Sequence, residues 1–144
     1  MKEGVNVVYY SKEYNFGDQI SPFIVDKILS SDYYLEHNVR QKDHSKCIIA
    51  VGSYIQKAHS HTHIWGSGLP TKNSPFQKKI TNENAVRGPL TRKVLMSKGI
   101  SVPEVYGDPA LLMPELYKAT INQELSNKVA VIPHKSNDTK EKKK

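Results

Sequence analysis

The sequence predicts an α/β domain of the doubly wound type, built on a mostly parallel sheet. Short β-branched or apolar runs at residues 5–10, 47–51 and 61–65 read as buried strands. The last two stop at Gly52-Ser53 and Gly66-Ser67, which puts two backbone turns at one edge of the sheet. Helix-like segments start at Ser21-Pro22 and Gly88-Pro89, each after a strand and with proline at the first helical position. Strand, glycine turn and helix in that order make the repeating unit of such a fold. The 144 residues give room for one domain of ordinary size with a real core.

In chain order, residues 5–10 run into Asn15-Phe16-Gly17-Asp18, read as a glycine-containing loop. Ser21 is expected to cap a helix whose apolar face is Phe23, Ile24, Ile28 and Leu29. Asp18 reads equally as part of that cap and as a site carboxylate. Residues 30–46 are polar, with Tyr33-Tyr34-Leu35 as a short strand. Cys47 opens an apolar run, where an inert buried thiol is expected rather than a nucleophile. His59, His61 and His63 alternate without a carboxylate or thiolate at ligand spacing, so they read as a surface cluster rather than a metal site. His63 and Trp65 are candidates to line a pocket. Residues 69–82 carry prolines, lysines and few apolar side chains, and read as a loop.

The chain is organised around Ala85-Val86-Arg87-Gly88-Pro89-Leu90-Thr91-Arg92, a strand end, a turn and a helix start. Gly88 is expected to take backbone angles closed to other residues. Leu90, Val94 and Leu95 form the apolar face of the helix, which Gly99 ends. Arg87 then sits where a strand gives way to a helix N-terminus, the usual place for an anion in an α/β fold. Its guanidinium can hold a carboxylate or phosphate with two parallel hydrogen bonds. Arg92, a turn further on, reads as a solvated surface charge. Residues 102–106 form a short strand interrupted by Pro103, and Gly107-Asp108-Pro109 repeats the turn-and-cap pattern. Asp108 is expected as an N-cap, a role compatible with a place in the site. Residues 115–127 form a polar connector, and 128–134 form a clean strand ending in His134.

Composition excludes several classes. Of the formal charge of +7, Lys140, Lys142, Lys143 and Lys144 against Glu141 supply +3. The remainder is mildly basic, as suits anionic small molecules, and no arginine-rich stripe or stacking-aromatic motif points to nucleic acid. The first glycine segment lacks the three spaced glycines of a dinucleotide fingerprint, so no cofactor is expected. A single cysteine excludes an internal disulfide and a zinc site built on several thiolates. No signal segment is visible, and no apolar run approaches the roughly 20 residues that span a bilayer. A cytoplasmic protein is expected, with a lysine tail suited to peripheral contact at the inner face of a membrane.

Five pieces stand in order: Asn15-Phe16-Gly17-Asp18, Trp65-Gly66-Ser67-Gly68, Val86-Arg87-Gly88-Pro89-Leu90-Thr91, Gly107-Asp108-Pro109-Ala110-Leu111-Leu112 and Ile132-Pro133-His134. Together they resemble the polysaccharide pyruvyl transferase family, especially the bacterial exopolysaccharide ketal-pyruvate transferases. The resemblance implies a Rossmann-like three-layer domain that forms the N-terminal half of a GT-B-like arrangement. Residues 1–127 would be the N-terminal domain, 128–138 the first strand of a second, and 139–144 a disordered tail. The Arg-Leu-His motif that such proteins carry in the second domain is missing, so the chain is expected to be inactive alone.

The implied reaction moves the three-carbon unit of phosphoenolpyruvate onto two hydroxyls of a glycan or lipid-linked sugar, forming a ketal. Arg87 matches the arginine of the family's motif and is the expected donor ligand, with Gly17, Gly66, Ser67, Gly68 and Asp108 as further substrate-binding residues. Asp18 is the expected acceptor-side carboxylate. His134 reads equally as an acid/base or phosphate ligand and as a strand-end residue. Two other readings compete: a sugar-nucleotide glycosyltransferase fragment of similar architecture, and a non-catalytic binding module of a polysaccharide-assembly complex.

Overall fold

A computed structural model of the chain describes residues 3–12, 15–37, 46–75 and 82–131. Five strands form one all-parallel sheet: β1 (Glu3–Val7), β2 (Tyr33–His37), β3 (Lys46–Ile49), β4 (Thr62–Trp65) and β5 (Asn82–Ala85). Their spatial order is β2-β1-β3-β4-β5. The chain therefore goes from β1 to the edge strand β2, then returns past β1 to continue outward from β3. That reversal leaves a crevice between the carboxyl ends of β1 and β3, where open α/β sheets bind ligands. An isolated parallel bridge between Val86 and Tyr106 is all that forms of the strand expected at 102–106. Pro103 lacks the N–H that a longer ladder would need.

The sheet is covered on both faces. Ile49 and Ile64 pack with Ile55, Leu95, Ile100 and Val102 on one side. Ile48 and Trp65, their neighbours along β3 and β4, pack with Val7, Val25 and Leu35 on the other. This alternation is why apolar side chains stand on both faces of β3 and β4. Cys47 is fully buried, as expected, and accepts a 3.5 Å bond from the Asn6 amide.

Helix α1 (Phe16–Ile28) begins a turn and a half before Ser21. Its true cap is Asn15, whose side chain accepts from the N–H groups of Gly17 and Asp18 at 2.9 and 3.4 Å. Gly17 and Asp18 thus form the first helical turn, and Pro22 lies inside the helix. Ser21-Pro22 imitates a cap-and-proline signal, but Ser21 is buried and works across the fold. Its hydroxyl accepts from the Val51 N–H at 2.9 Å and donates to the Val51 carbonyl at 3.4 Å. Ile20, Ile24 and Val25 are the buried face, whereas Ile28 is half exposed.

Helix α2 (Pro89–Ser97) starts at Pro89 as expected and ends on Gly99. The Gly99 N–H donates to Met96 and the Ile100 N–H to Leu95, with Gly99 at φ +84°. This is a Schellman ending, closed by the apolar contact of Ile100 with Leu95. Leu95 is fully buried, but Leu90 is 79% exposed, against expectation. Arg92 is half-buried, and its Nε donates to the Val102 carbonyl at 3.1 Å, so it is tied to the fold as well as solvated. Gly88 sits at φ −175°, an extended conformation open to any residue, and so its special freedom is unused. It caps α2 without a side chain, and a Cβ there meets nothing within 4 Å. Gly88→Ser should therefore stabilise the fold by about 0.5–1 kcal/mol through a new cap bond, measurable in urea unfolding.

The remaining described chain is a 3₁₀ turn at Pro109–Leu112, the short helix α3 (Met113–Leu116) and a 3₁₀ turn at Gln123–Leu125. Residues 128–131 form no strand, and Val129 and Val131 are 92% and 81% exposed. A parallel strand exists only through its neighbours, and none of the described strands pairs with these residues. His134 and the lysine tail lie outside the described residues. Among the described residues no helix is long and apolar enough to cross a membrane.

Candidate functional site

An open cleft of about 460 Å³ lies at the β1/β3 crevice. It is lined by Asn15, Gly17, Asp18, Val51, Gly52, Ser53, Arg87 and Asp108. Each lining group comes from the carboxyl end of a strand. Asn15, Gly17 and Asp18 follow β1, Val51 to Ser53 follow β3, Arg87 follows β5, and Asp108 follows the Val86–Tyr106 bridge. Parallel strands deliver all their exits to one edge, so residues far apart in sequence meet there.

Arg87 is held on two sides. Its Nη1 donates to Ser53 Oγ at 2.9 Å, and its Nε lies 3.2 Å from Asp108 Oδ2. The other oxygen of Asp108 accepts from the Ala110 N–H at 3.0 Å, capping the 3₁₀ turn. The expected cap and site roles thus fall on separate oxygens of one carboxylate. The guanidinium stays partly exposed, at 39% of its side-chain surface, and faces the cleft. Its remaining N–H groups are free to point at an incoming anion.

Asp18 stands beside Gly52, with Oδ1 only 3.1 Å from where a Cβ would be. Gly52 is at φ +99°, so close approach and left-handed backbone both favour glycine there. Burial raises the Asp18 pKa above its ordinary 3.8. A raised folded-state value means the folded protein binds the proton more tightly, so this group costs stability as pH rises past the ordinary value. Asp18→Asn should accordingly raise the midpoint of unfolding at neutral pH, with the gain vanishing as pH falls below 3.8, in a pH series of denaturant titrations.

Gly66, Ser67 and Gly68, expected as substrate-binding residues, are buried and are not among the residues that line this cleft. They build the loop scaffold under it. Ser67 Oγ donates to the Gly52 carbonyl at 2.7 Å and accepts from the Tyr54 N–H at 3.2 Å. The Gly68 N–H donates to the same carbonyl at 3.0 Å, and the Arg87 N–H to the Ser67 carbonyl at 3.0 Å. The absent Cβ of Gly68 would meet Arg87 Cζ at 3.4 Å, so the guanidinium rests against bare backbone. The two Gly-Ser endings do share one edge, as expected, but they serve each other.

Ser53, Gly52 and Asn15 also line the site; the sequence marks them as a strand-end turn and as part of a motif, not as site residues. His59, His61 and His63 lie elsewhere. His63 meets Asn84 at 3.4 Å, His61 accompanies His59, and burial followed by the His61 charge lowers the His59 pKa. Among the described residues no three His, Cys, Asp or Glu side chains are grouped as a metal would need. Neither His63 nor Trp65 lines the cleft; Trp65 packs into the core. A larger hollow of about 610 Å³ lies between residues 69–73 and the outer side of α2. It has Lys72 and Lys93 but no carboxylate or arginine, and is set apart from the strand ends. The chemistry points to the smaller cleft.

A family model described as polysaccharide pyruvyl transferase matches residues 2–144. No curated protein and no solved structure matches the chain.

Proposed function

The chain belongs to the polysaccharide pyruvyl transferase family, and on that premise we propose that its β1/β3 cleft binds phosphoenolpyruvate and serves ketal formation on a glycan or lipid-linked sugar. The observation that carries this reading is the pairing of an anion fork, Arg87, with a carboxyl whose pKa burial raises, Asp18, in one crevice. Phosphoenolpyruvate brings a carboxylate and a phosphate; a guanidinium is suited to either. An approaching anion competes with Asp108 for Arg87, while Ser53 keeps the fork in place.

The chemistry sets the requirements. A proton added to the terminal enol carbon leaves cationic character on the adjacent carbon, where a sugar oxygen attacks and loses its proton. A second hydroxyl attacks the same carbon, phosphate leaves with the electron pair of its C–O bond, and the second proton goes with it. One proton is thus taken up by carbon and one released with phosphate, from two hydroxyls. Asp18 is the acceptor-side acid/base, aided by a carboxyl pKa moved toward the working range. His134 is assigned the donor-side acid/base or phosphate contact, and Gly17 the close backbone approach. Gly66, Ser67 and Gly68 position Arg87 and the β3 loop.

In this reading residues 1–127 are the Rossmann-like N-terminal domain of a GT-B-like pair, and 128–138 the segment that would become the opening strand of the second once a neighbour pairs with it. Val129 and Val131, exposed here, are side chains such a domain would cover. Thermal unfolding tests the donor assignment. Phosphoenolpyruvate at a hundred times its Kd should stabilise the chain by about 2.7 kcal/mol, and a nucleoside-diphosphate sugar should not. Stabilisation by the nucleotide sugar alone would move the assignment to glycosyl transfer.

A further inference from the structure

We infer that Tyr10 and Tyr54, which stand outside the residues lining the cleft but beside its Asp18 end, form an aromatic wall that receives the ring of the acceptor sugar. The inference rests on the pyruvyl-transfer reading and adds to it the place of the second substrate. Tyr10 follows β1 and Tyr54 follows β3, so both leave the sheet at the edge where the cleft opens. Their rings meet edge to face, with centroids 6.4 Å apart and planes at 73°.

Three consecutive residues after β3 tie the site together. Gly52 lies under the Asp18 carboxylate, Ser53 holds Arg87, and Tyr54 meets Tyr10. The aromatic pair therefore adjoins the carboxyl and is separated from the anion fork by the length of this turn. The Tyr54 backbone is fixed by its bond to Ser67, so the ring is presented on a rigid support. Tyr54 packs against the core, and Tyr10 rests on Tyr54 one layer further out.

The chemistry fits a hexopyranose. One face of such a ring is a patch of C–H groups that packs on an aromatic surface, while its hydroxyls need polar partners at the rim. Burial, then the Asp18 and Tyr10 charges, raise the Tyr54 phenol pKa. The phenol thus stays a hydrogen-bond donor at neutral pH, and a ring set on this wall has its hydroxyls within the field of Asp18.

The test uses the 144-residue chain, saturated with phosphoenolpyruvate. Methyl glycosides of glucose, galactose and mannose are the probes, and saturation transfer from protein to the sugar C–H protons is the readout. Donor affinity is measured separately by calorimetry. We expect at least one glycoside to bind, Tyr54→Phe to retain it, and Tyr54→Ala and Tyr10→Ala each to weaken it by about tenfold. Donor affinity should stay within about twofold throughout. Tyr54→Ala also removes a contact with the core, so Tyr10→Ala, outside the core, decides the matter if the first variant unfolds. Donor binding with no glycoside bound, or with glycoside binding indifferent to both alanine variants, overturns the aromatic wall. Failure of the wild type to bind phosphoenolpyruvate overturns the pyruvyl-transfer reading itself.

Discussion

Arg87→Ala is expected to remove most of the affinity for phosphoenolpyruvate while leaving the fold almost untouched. A charged pair that loses one partner in a ligand site costs about 2–5 kcal/mol, or roughly thirtyfold to several-thousandfold in binding. The same side chain contributes little to folding. Its ion pair with Asp108 is open to solvent on both sides, with 39% and 26% of the side-chain surface exposed. Such pairs are worth about 0–1 kcal/mol. Calorimetric titration with phosphoenolpyruvate, set beside urea unfolding, separates the two quantities. Arg87→Lys sharpens the result, because lysine keeps the charge but cannot reach Ser53 and an anion with one planar fork. It should bind more weakly than wild type and more tightly than alanine. Unchanged donor affinity in Arg87→Ala would remove the arginine from the site.

The parts of this site that were legible in the sequence are those set by local chemistry. Residues 47–51 are too apolar to be anything but an interior strand, residues 61–65 are strand-like, and each turns where glycine and serine follow. Arg87 is placed by its own neighbours, with strand residues before it and Gly88-Pro89 after it. Asp108 is likewise fixed as a cap by Pro109, and the structure puts both residues in one cleft.

What could not be read depends on partners distant in the chain. Ser21-Pro22 carries a good local signal for a helix start, yet Ser21 is consumed by Val51, thirty residues on. Leu90 fits the apolar period of α2, but Leu95 fills the core and Arg92 bonds the Val102 carbonyl, while Leu90 is left exposed. The run at 128–134 has the composition of a strand, yet its described part, 128–131, has no strand beside it, and composition cannot supply that neighbour. Gly66, Ser67 and Gly68 look like a ligand loop because glycine and serine do build such loops. Here the same small residues let two loops close on each other, and only the strand order reveals which loops those are.

Gly66→Ala should be among the most damaging single-methyl substitutions in the chain. Gly66 has φ +78°, where an alanine is strained by about 1–2 kcal/mol. The added Cβ would also overlap the Gly107 carbonyl oxygen and the Pro109 ring, neither of which is the free end of a flexible side chain. Forcing atoms into such a contact costs about 1–3 kcal/mol more. Together these predict a loss of about 2–5 kcal/mol, or roughly 5–15 °C in Tm. Gly99 supplies the control. It has nearly the same backbone angle, φ +84°, but a Cβ there meets nothing within 4 Å. Gly99→Ala should therefore show the backbone strain alone, about 1–2 kcal/mol. The difference between the two variants isolates the cost of separating Gly107 and Pro109 from the end of β4. That separation also moves Asp108, which stands between them and pairs with Arg87. Gly66→Ala should then weaken phosphoenolpyruvate binding in the fraction that remains folded, and Gly99→Ala should not. Equal destabilisation by the two variants, with donor affinity intact in both, would mean that Gly66 is chosen for its backbone angle and not for what lies against it.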